Sequence, residues 1–301
     1  MNKKIAELEP TTSRKRPREK NSELESENDF DESHSLSLEE NFTFSDTLMA
    51  LRMMHAQFPD IGKVSVQPFV LRSQLYSSIK DRTQVDRDLE SLRRDRVLRI
   101  FKLNTGQDDH AIMFMDDYLN QIDRVVRKME EKKQNDLTVF EWFKVHVIQS
   151  KLDTSISHQE LCTLLSLGGK VKEDHVSQLI SAGLLSFIID CALCFCLSLP
   201  LCDTSGVGNT LEIRQLIDQN MYWFSIPNVG SVLKGLSQGR KELLSFLNRR
   251  KYKEMMLVSL EKKRLRLSPL DMRFHLRDLI GSGYLKTVQT PSGLIVRIAK
   301  D

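Results

Sequence analysis

The side chains of this sequence that could do chemistry are mostly cations, and they are densest near its C-terminal end. Between Lys234 and Asp301 there are 16 Lys and Arg residues against 6 Asp and Glu. Lys251, Lys253, Lys262, Lys263, Arg264, Arg266, Arg273, Arg277, Lys286 and Arg297 make the richest set. Charge so little offset favours a polyanion, since each neutralised phosphate contributes a salt-sensitive share of affinity. A generic basic surface is the alternative. A second set lies upstream, where Thr83, Arg87 and Arg94 fall at helical spacing opposite Val85, Leu89 and Leu92. Arg87 and Arg94 would there meet phosphates or guanine edges, with Arg96, Arg99 and Lys102 adding charge on the side of the wing. Asp86, Asp88, Glu90 and Asp95 are interleaved, so a salt-bridged solvent face competes with that reading.

Residues suited to catalysis or metal binding do not assemble into a set. Cys191, Cys194, Cys196 and Cys202 are spaced C-x2-C-x-C-x5-C, and Cys162 stands apart. A zinc site prefers paired C-x2-C units separated by a longer loop, and His146, His158 and His175 are scattered, so no metal is expected. The string HLRDLIGSG has a superficial likeness to a kinase catalytic loop. However, Leu276 separates His275 from Arg277, and Gly283 stands five places after Asp278, where a metal-binding Asn belongs. No Gly-rich loop is followed by a Val-Ala-Ile-Lys strand, and there is no Asp-Phe-Gly. Phosphoryl transfer needs its base and metal ligands together, so neither a catalytic residue nor a cofactor is expected. Gly281-Ser282-Gly283 reads instead as a helix end.

The elements that must position these cations repeat. Pro68 to Tyr118 reads as helix, turn, helix, strand, Gly-containing loop, strand, which is the order of a winged helix. Phe69, Val70, Leu75, Tyr76 and Ile79 predict its first helix, with Pro68 in the first turn; Val85, Leu89 and Leu92 predict the second. Val97 to Leu103 and Ile112 to Met115 predict two strands. A leading helix carries Leu48, Leu51, Met54 and Phe58 behind a Ser45 cap. A second unit follows the polar linker EEKKQND, with Phe140, Phe143, Val147 and Ile148 on one helix, Leu161, Leu164 and Leu165 on another capped by Ser157, and Val176, Leu179 and Ile180 on a third. In the third unit Val232 to Leu247 form a helix, Ser268 and Pro269 start another, and YLKTVQT-PSG-LIVRIA forms a hairpin with Gly293 at its tip. The predicted class is mainly α with small β-hairpins (α+β): three tandem winged-helix domains, 45–133 with a trailing helix, 137–227 and 230–301, after a disordered N-terminal tail, 1–44.

That tail is Ser/Glu/Asn-rich with 7 basic against 11 acidic residues, which leaves 37 against 30 in the remainder of the 301 residues. Arg14, Lys15, Arg16 and Arg18 bunch around Pro17 and predict a nuclear localisation signal, hence a nuclear protein. No apolar run follows Met1, so no secretory signal is expected. Leu184 to Cys202 is nearly continuous apolar and long enough to suggest a membrane span, yet Asp190 and Pro200 interrupt it. Residues 186–210 read better as an atypical insertion in the second wing, or as translated non-coding sequence, with no membrane contact.

The block VLRSQLYSSIKDRTQVDRDLESLRRDRVLRIFKL with the later DDY, and YKEMMLVSLEKKRLRLSPLDMRFHLRDLIGSGYLKTVQTPSGLIVRI, resemble the family called serine/threonine-protein kinase 19. The resemblance covers about residues 45–185 and 212–300; residues 186–210 depart from it. It implies a nuclear protein of three winged helices that binds double-stranded DNA, without catalysis, in transcription-coupled nucleotide excision repair beside proteins of the transcription and repair complexes. An atypical protein kinase, as the family's name has it, and a protein-interaction adaptor without DNA binding are the alternatives.

Overall fold

Apolar residues spaced for one-sided helices alternate with short β-rich runs, and the chain folds accordingly into three successive helix–strand–helix–helix–strand–strand repeats. The structure is a computed structural model describing residues 45–62, 64–106, 109–131, 137–189 and 217–299, without the side chains of 188, 189 and 217–219. The first repeat holds α1 (Asp46–Ala56), β1 (Val70–Leu71), α2 (Arg72–Ser78), α3 (Arg82–Arg94), β2 (Leu98–Lys102) and β3 (His110–Phe114). A trailing helix α4 (Met115–Glu131) leads to the second: α5 (Thr138–Trp142), continued by a π-helical segment Phe143–Ile148, β4 (Ser155–Ser157), α6 (His158–Ser166), α7 (Glu173–Ser181), β5 (Leu185–Ile189) and β6 (Ile217–Phe224). The third comprises α8 (Gly230–Asn248), β7 (Glu254–Met256), α9 (Leu257–Glu261), α10 (Met272–Gly281), β8 (Leu285–Thr290) and β9 (Gly293–Ile298). Each repeat has an antiparallel three-stranded sheet in which the last strand lies between the other two.

Local chemistry sets most boundaries. Ser45, Asp81, Ser157 and Asp271 cap α1, α3, α6 and α10 by accepting from the backbone N–H three residues on. Two expectations shift. Phe69 and Val70 do not open a helix: Val70 and Leu71, both buried, pair with Ile112 and Ala111 as an edge strand beside β3, and α2 starts at Arg72. The cap of α10 is Asp271, whose Oδ1 accepts from Phe274 N at 2.7 Å, rather than Ser268; the Ser268 hydroxyl is engaged by His275 instead. The second repeat also contains a strand, β4, that its short Ser-Ile-Ser run did not signal. Pairing of Leu185 with Phe224 and Phe187 with Tyr222 makes β5 and β6 an antiparallel pair, and the cysteine-rich stretch lies in the sequence between them. Residues 190–216 lie outside the described residues, as do the tail and its basic cluster.

The described residues of the three repeats pack into one compact unit. Repeats one and two share a core in which Tyr118, Phe143, Ile156 and Phe224 are buried together. Arg99 lies inside that contact and is 1% exposed: its guanidinium sits 4.1 Å from the Phe224 ring centre and donates to the carbonyls of Ile148 and Lys151 at 3.4 and 2.9 Å. It therefore adds nothing to the outer charge of the wing. Repeats one and three meet along α2 and α10, where Gln74 Nε2 donates to the Phe274 carbonyl at 3.1 Å. The approach is so close that a Cβ on Gly281 would lie 1.6 Å from the Ser73 carbonyl oxygen.

Candidate nucleic-acid interface

In a winged helix the third helix is the one that usually enters the major groove, so α3, α7 and α10 are the elements to compare. On α3, Val85, Leu89 and Leu92 are buried against α1, α2 and β2, which turns Thr83, Arg87, Ser91 and Arg94 to solvent. The interleaved acids are largely occupied. Asp86 accepts from the Tyr76 hydroxyl at 2.6 Å, Asp88 from Gln84 Nε2 at 2.7 Å, and Glu90 from Arg93 and Arg94 at 2.9 and 3.2 Å. The Arg93 hydrogen bond, with the charges of both arginines, holds Glu90 below the usual carboxylate range. Arg87 has no ion pair among the described residues and is exposed. Arg94 is tied only by a surface i,i+4 pair, an interaction worth about 0.3–0.5 kcal/mol that a phosphate can displace.

The other two helices differ. The first turn of α7 is acidic, with Glu173 and Asp174 both exposed. In α10, Met272, Phe274, His275, Leu276, Asp278, Leu279 and Gly281 are buried, and one side lies on α2. Of its two expected DNA contacts, Arg273 is exposed with Nε 3.7 Å from Glu261, whereas Arg277 is half-buried and donates to Gln57 Oε1 at 2.6 Å. The other expected contacts of the third repeat, Lys251, Lys253, Lys262, Lys263, Arg264, Arg266, Lys286 and Arg297, are all exposed. Lys262 to Arg266 lie between α9 and α10, where Glu242 fixes the chain by accepting from the backbone N–H of Arg266 and Leu267. Lys286 and Arg297 face one another across β8 and β9.

Asp278, the carboxylate of the kinase-like string, is 0% exposed and serves as a clamp. Arg240 donates from Nε to its Oδ2 at 2.6 Å and from Nη2 to its Oδ1 at 3.0 Å, and the Ser73 hydroxyl donates at 2.6 Å. The same guanidinium reaches Asp109 Oδ2 at 2.5 Å, so it joins the β2–β3 connection to α10. Burial opposes its charge, but the two carboxylates outweigh that and raise its pKa. This residue escaped the sequence reading. Its signal was the pair Gly235 and Gly239, four apart on α8, where any Cβ would strike Pro269 and the His275 ring. His275 lies against that seat. Its Nε2 is 2.8 Å from the Ser268 hydroxyl, whose oxygen already accepts from Leu270 N, leaving its O–H free to donate to a neutral ring. Burial, and then the Arg240 charge, push the His275 pKa down to about 4.

A second pairing of reactive types, Cys162 with His158 at 3.5 Å and His158 with the Tyr222 hydroxyl at 2.9 Å, does not make an activated nucleophile, because burial pushes the thiol up and disfavours thiolate. Among the described residues no three His, Cys, Asp or Glu side chains are grouped to hold a metal, and no helix is long and apolar enough to cross a membrane.

A sequence profile of the family described as inactive serine-threonine protein kinase 19 matches residues 35–298. Among curated proteins, the chain is similar to winged helix repair factor 1 of Homo sapiens, with 26% identity over 235 residues that cover 78% of each chain. The protein of the same name from Dictyostelium discoideum is 26% identical over 301 residues, which cover 90% of this chain and 68% of that one. The Xenopus laevis protein of that name is 26% identical over 256 residues, 83% of each chain.

Proposed function

The chain belongs to the family described as inactive serine-threonine protein kinase 19, and on that premise we propose that it is a non-enzymatic nuclear protein of three winged helices that binds duplex DNA in repair. The relatives' names, which speak of a winged helix and of repair, and the family's description as inactive support that reading. Transcription-coupled nucleotide excision repair is the setting implied by the family resemblance, with proteins of the transcription and repair complexes as further partners.

The observation that carries the proposal is the contrast among the three third helices. Only α3 combines a solvent-facing basic side, including the unpaired Arg87, with freedom from burial by another repeat; α7 is acidic in its first turn and α10 lies on α2. Arg87 and Arg94 thus meet the groove or its flanking phosphates, and Lys262, Lys263, Arg264, Arg266 and Arg273 neutralise phosphates farther along. On this reading the interface centres on the first repeat, and the third repeat, which charge alone favours, supplies further contacts. Binding of a labelled duplex to the full chain tests the assignment. Arg87→Glu is expected to weaken binding by about tenfold or more, a phosphate or base contact each being worth around 1–3 kcal/mol; unchanged affinity would remove α3 from the interface. For the nuclear part of the proposal, replacing Arg14, Lys15, Arg16 and Arg18 together by Ala is expected to leave a fluorescent fusion in the cytoplasm, and nuclear retention would contradict it.

A further inference from the structure

We propose that the pocket between α4 and the connection from α1 to β1 is a docking groove for an acidic peptide with an apolar anchor, built from residues that share none of the DNA contacts assigned above. It gives a chemistry to the protein partners of the proposed reading and does not depend on duplex binding. The first repeat joins its leading helix to its first strand through thirteen residues, 57–69, where the second and third repeats use six, 149–154, and five, 249–253. A connection of about that length with no helix or strand of its own is uncommon in a compact domain and usually functional. The added chain is held in place. Gln121 of α4, 0% exposed, donates from Nε2 to the carbonyls of Ser65 and Pro227 at 2.9 and 3.0 Å and accepts from Gln67 N at 3.0 Å. Arg124 Nη1 donates to the Ser65 hydroxyl at 3.3 Å. The groove is thus formed before a ligand arrives, which lowers the ordering cost of binding.

The lining sets the class of ligand. Phe58, Ile61, Val64, Val66 and Pro68 are half-buried around an open pocket of about 510 Å³. Arg124 and Lys128 stand on its α4 side, and Asp60 is the one acid among the lining residues. Lys128 is exposed and has no ion pair among the described residues. Aliphatic and proline side chains of this kind take up an apolar side chain, and cations beside them take up the carboxylates that flank it. A nucleic-acid strand fits less well. Base stacking needs an open aromatic face, and the Phe58 ring is packed against Phe69 and Phe274, with ring centres 5.2 and 6.1 Å away. Gly62 also lines the pocket, and a Cβ there would meet nothing within 4 Å, so a side chain added at this position enters the groove without a clash at its root.

The test titrates the full chain against three kinds of labelled probe, with fluorescence anisotropy as the readout: short peptides holding Phe, Leu, Ile or Trp at the centre of Asp and Glu flanks, the same peptides with Ser at the centre, and a blunt duplex. The wild-type chain is expected to bind an apolar-centred peptide about tenfold or more tighter than its Ser counterpart. Lys128→Glu is expected to weaken that binding about tenfold by reversing a charge the peptide meets, and Gly62→Trp to weaken it at least as much by filling the groove. Both variants are expected to keep the parent's urea midpoint and duplex affinity; Arg124 is left in place because it also holds the connection. Failure of the wild type to bind any apolar-centred peptide, equal binding of the Ser counterparts, or unchanged peptide affinity in either variant would overturn the groove. Loss of duplex affinity in these variants would make it a nucleic-acid site and overturn it as well. Absence of wild-type duplex binding would overturn the reading of α3 and leave the groove standing.

Discussion

At the scale of single residues, charge is legible in the sequence but its use is not. Arg87, Arg94 and Arg99 look alike as letters in one basic stretch, yet Arg87 is open, Arg94 is lightly paired and Arg99 is buried on Phe224. Only contacts from residues far along the chain distinguish them. The same holds for Asp278, which stands in a string only superficially like a kinase loop and is a buried clamp. Removing one member of a buried ion pair leaves the other uncompensated, so Asp278→Ala is expected to cost about 3 kcal/mol or more in chemical denaturation; a loss under about 1 kcal/mol would mean that Asp109 alone satisfies Arg240. His275 makes stability depend on pH. Its folded pKa of about 4 lies below the ordinary value of 6.5, so between the two the unfolded chain binds a proton that the folded chain does not. Stability is thus lost as pH falls from about 6.5 towards 4, by at most about 3 kcal/mol from this group. His275→Gln is expected to flatten that part of a stability–pH curve, and an unchanged slope would assign it to other groups.

At the scale of elements, the helices with a full apolar stripe were legible because the stripe is the burial pattern itself: Val85, Leu89 and Leu92 recur on α3, and Phe140, Phe143 and Val147 on the helix of the second repeat. The short strands were less so. Two residues of β1 and three of β4 carry too little alternation to outvote a neighbouring helical pattern, and their pairing with β3 and β6 decides the matter. The contact of α10 with α2 left almost no trace except Gly281, which read as a cap and also makes room for Ser73. Gly281→Ala must push the two helices apart, and an overpacked contact of this kind costs about 1–3 kcal/mol or more. A variant as stable as the parent in urea would show that α10 does not need this approach.

At the scale of the whole molecule, three similar repeats are used unequally because packing consumes different faces of each. Burying one side of α10 and the shared core between repeats one and two leaves α3 as the open third helix with basic charge, while the loop of Lys262 to Arg266 and the third sheet keep their cations in solvent. Composition alone located the charge in the third repeat and could not register that its helix was spent on the first. The central claim, duplex binding through phosphates from α3 and the α9–α10 loop, is tested most directly by duplex affinity across a salt series for the wild type, Arg87→Glu and the Arg264→Glu, Arg266→Glu double variant. Log affinity is expected to fall linearly with log salt, at about 0.9 per phosphate contacted, with weaker binding and a shallower dependence in both variants. Affinity that ignores salt, or variants that follow the wild-type line, would contradict it.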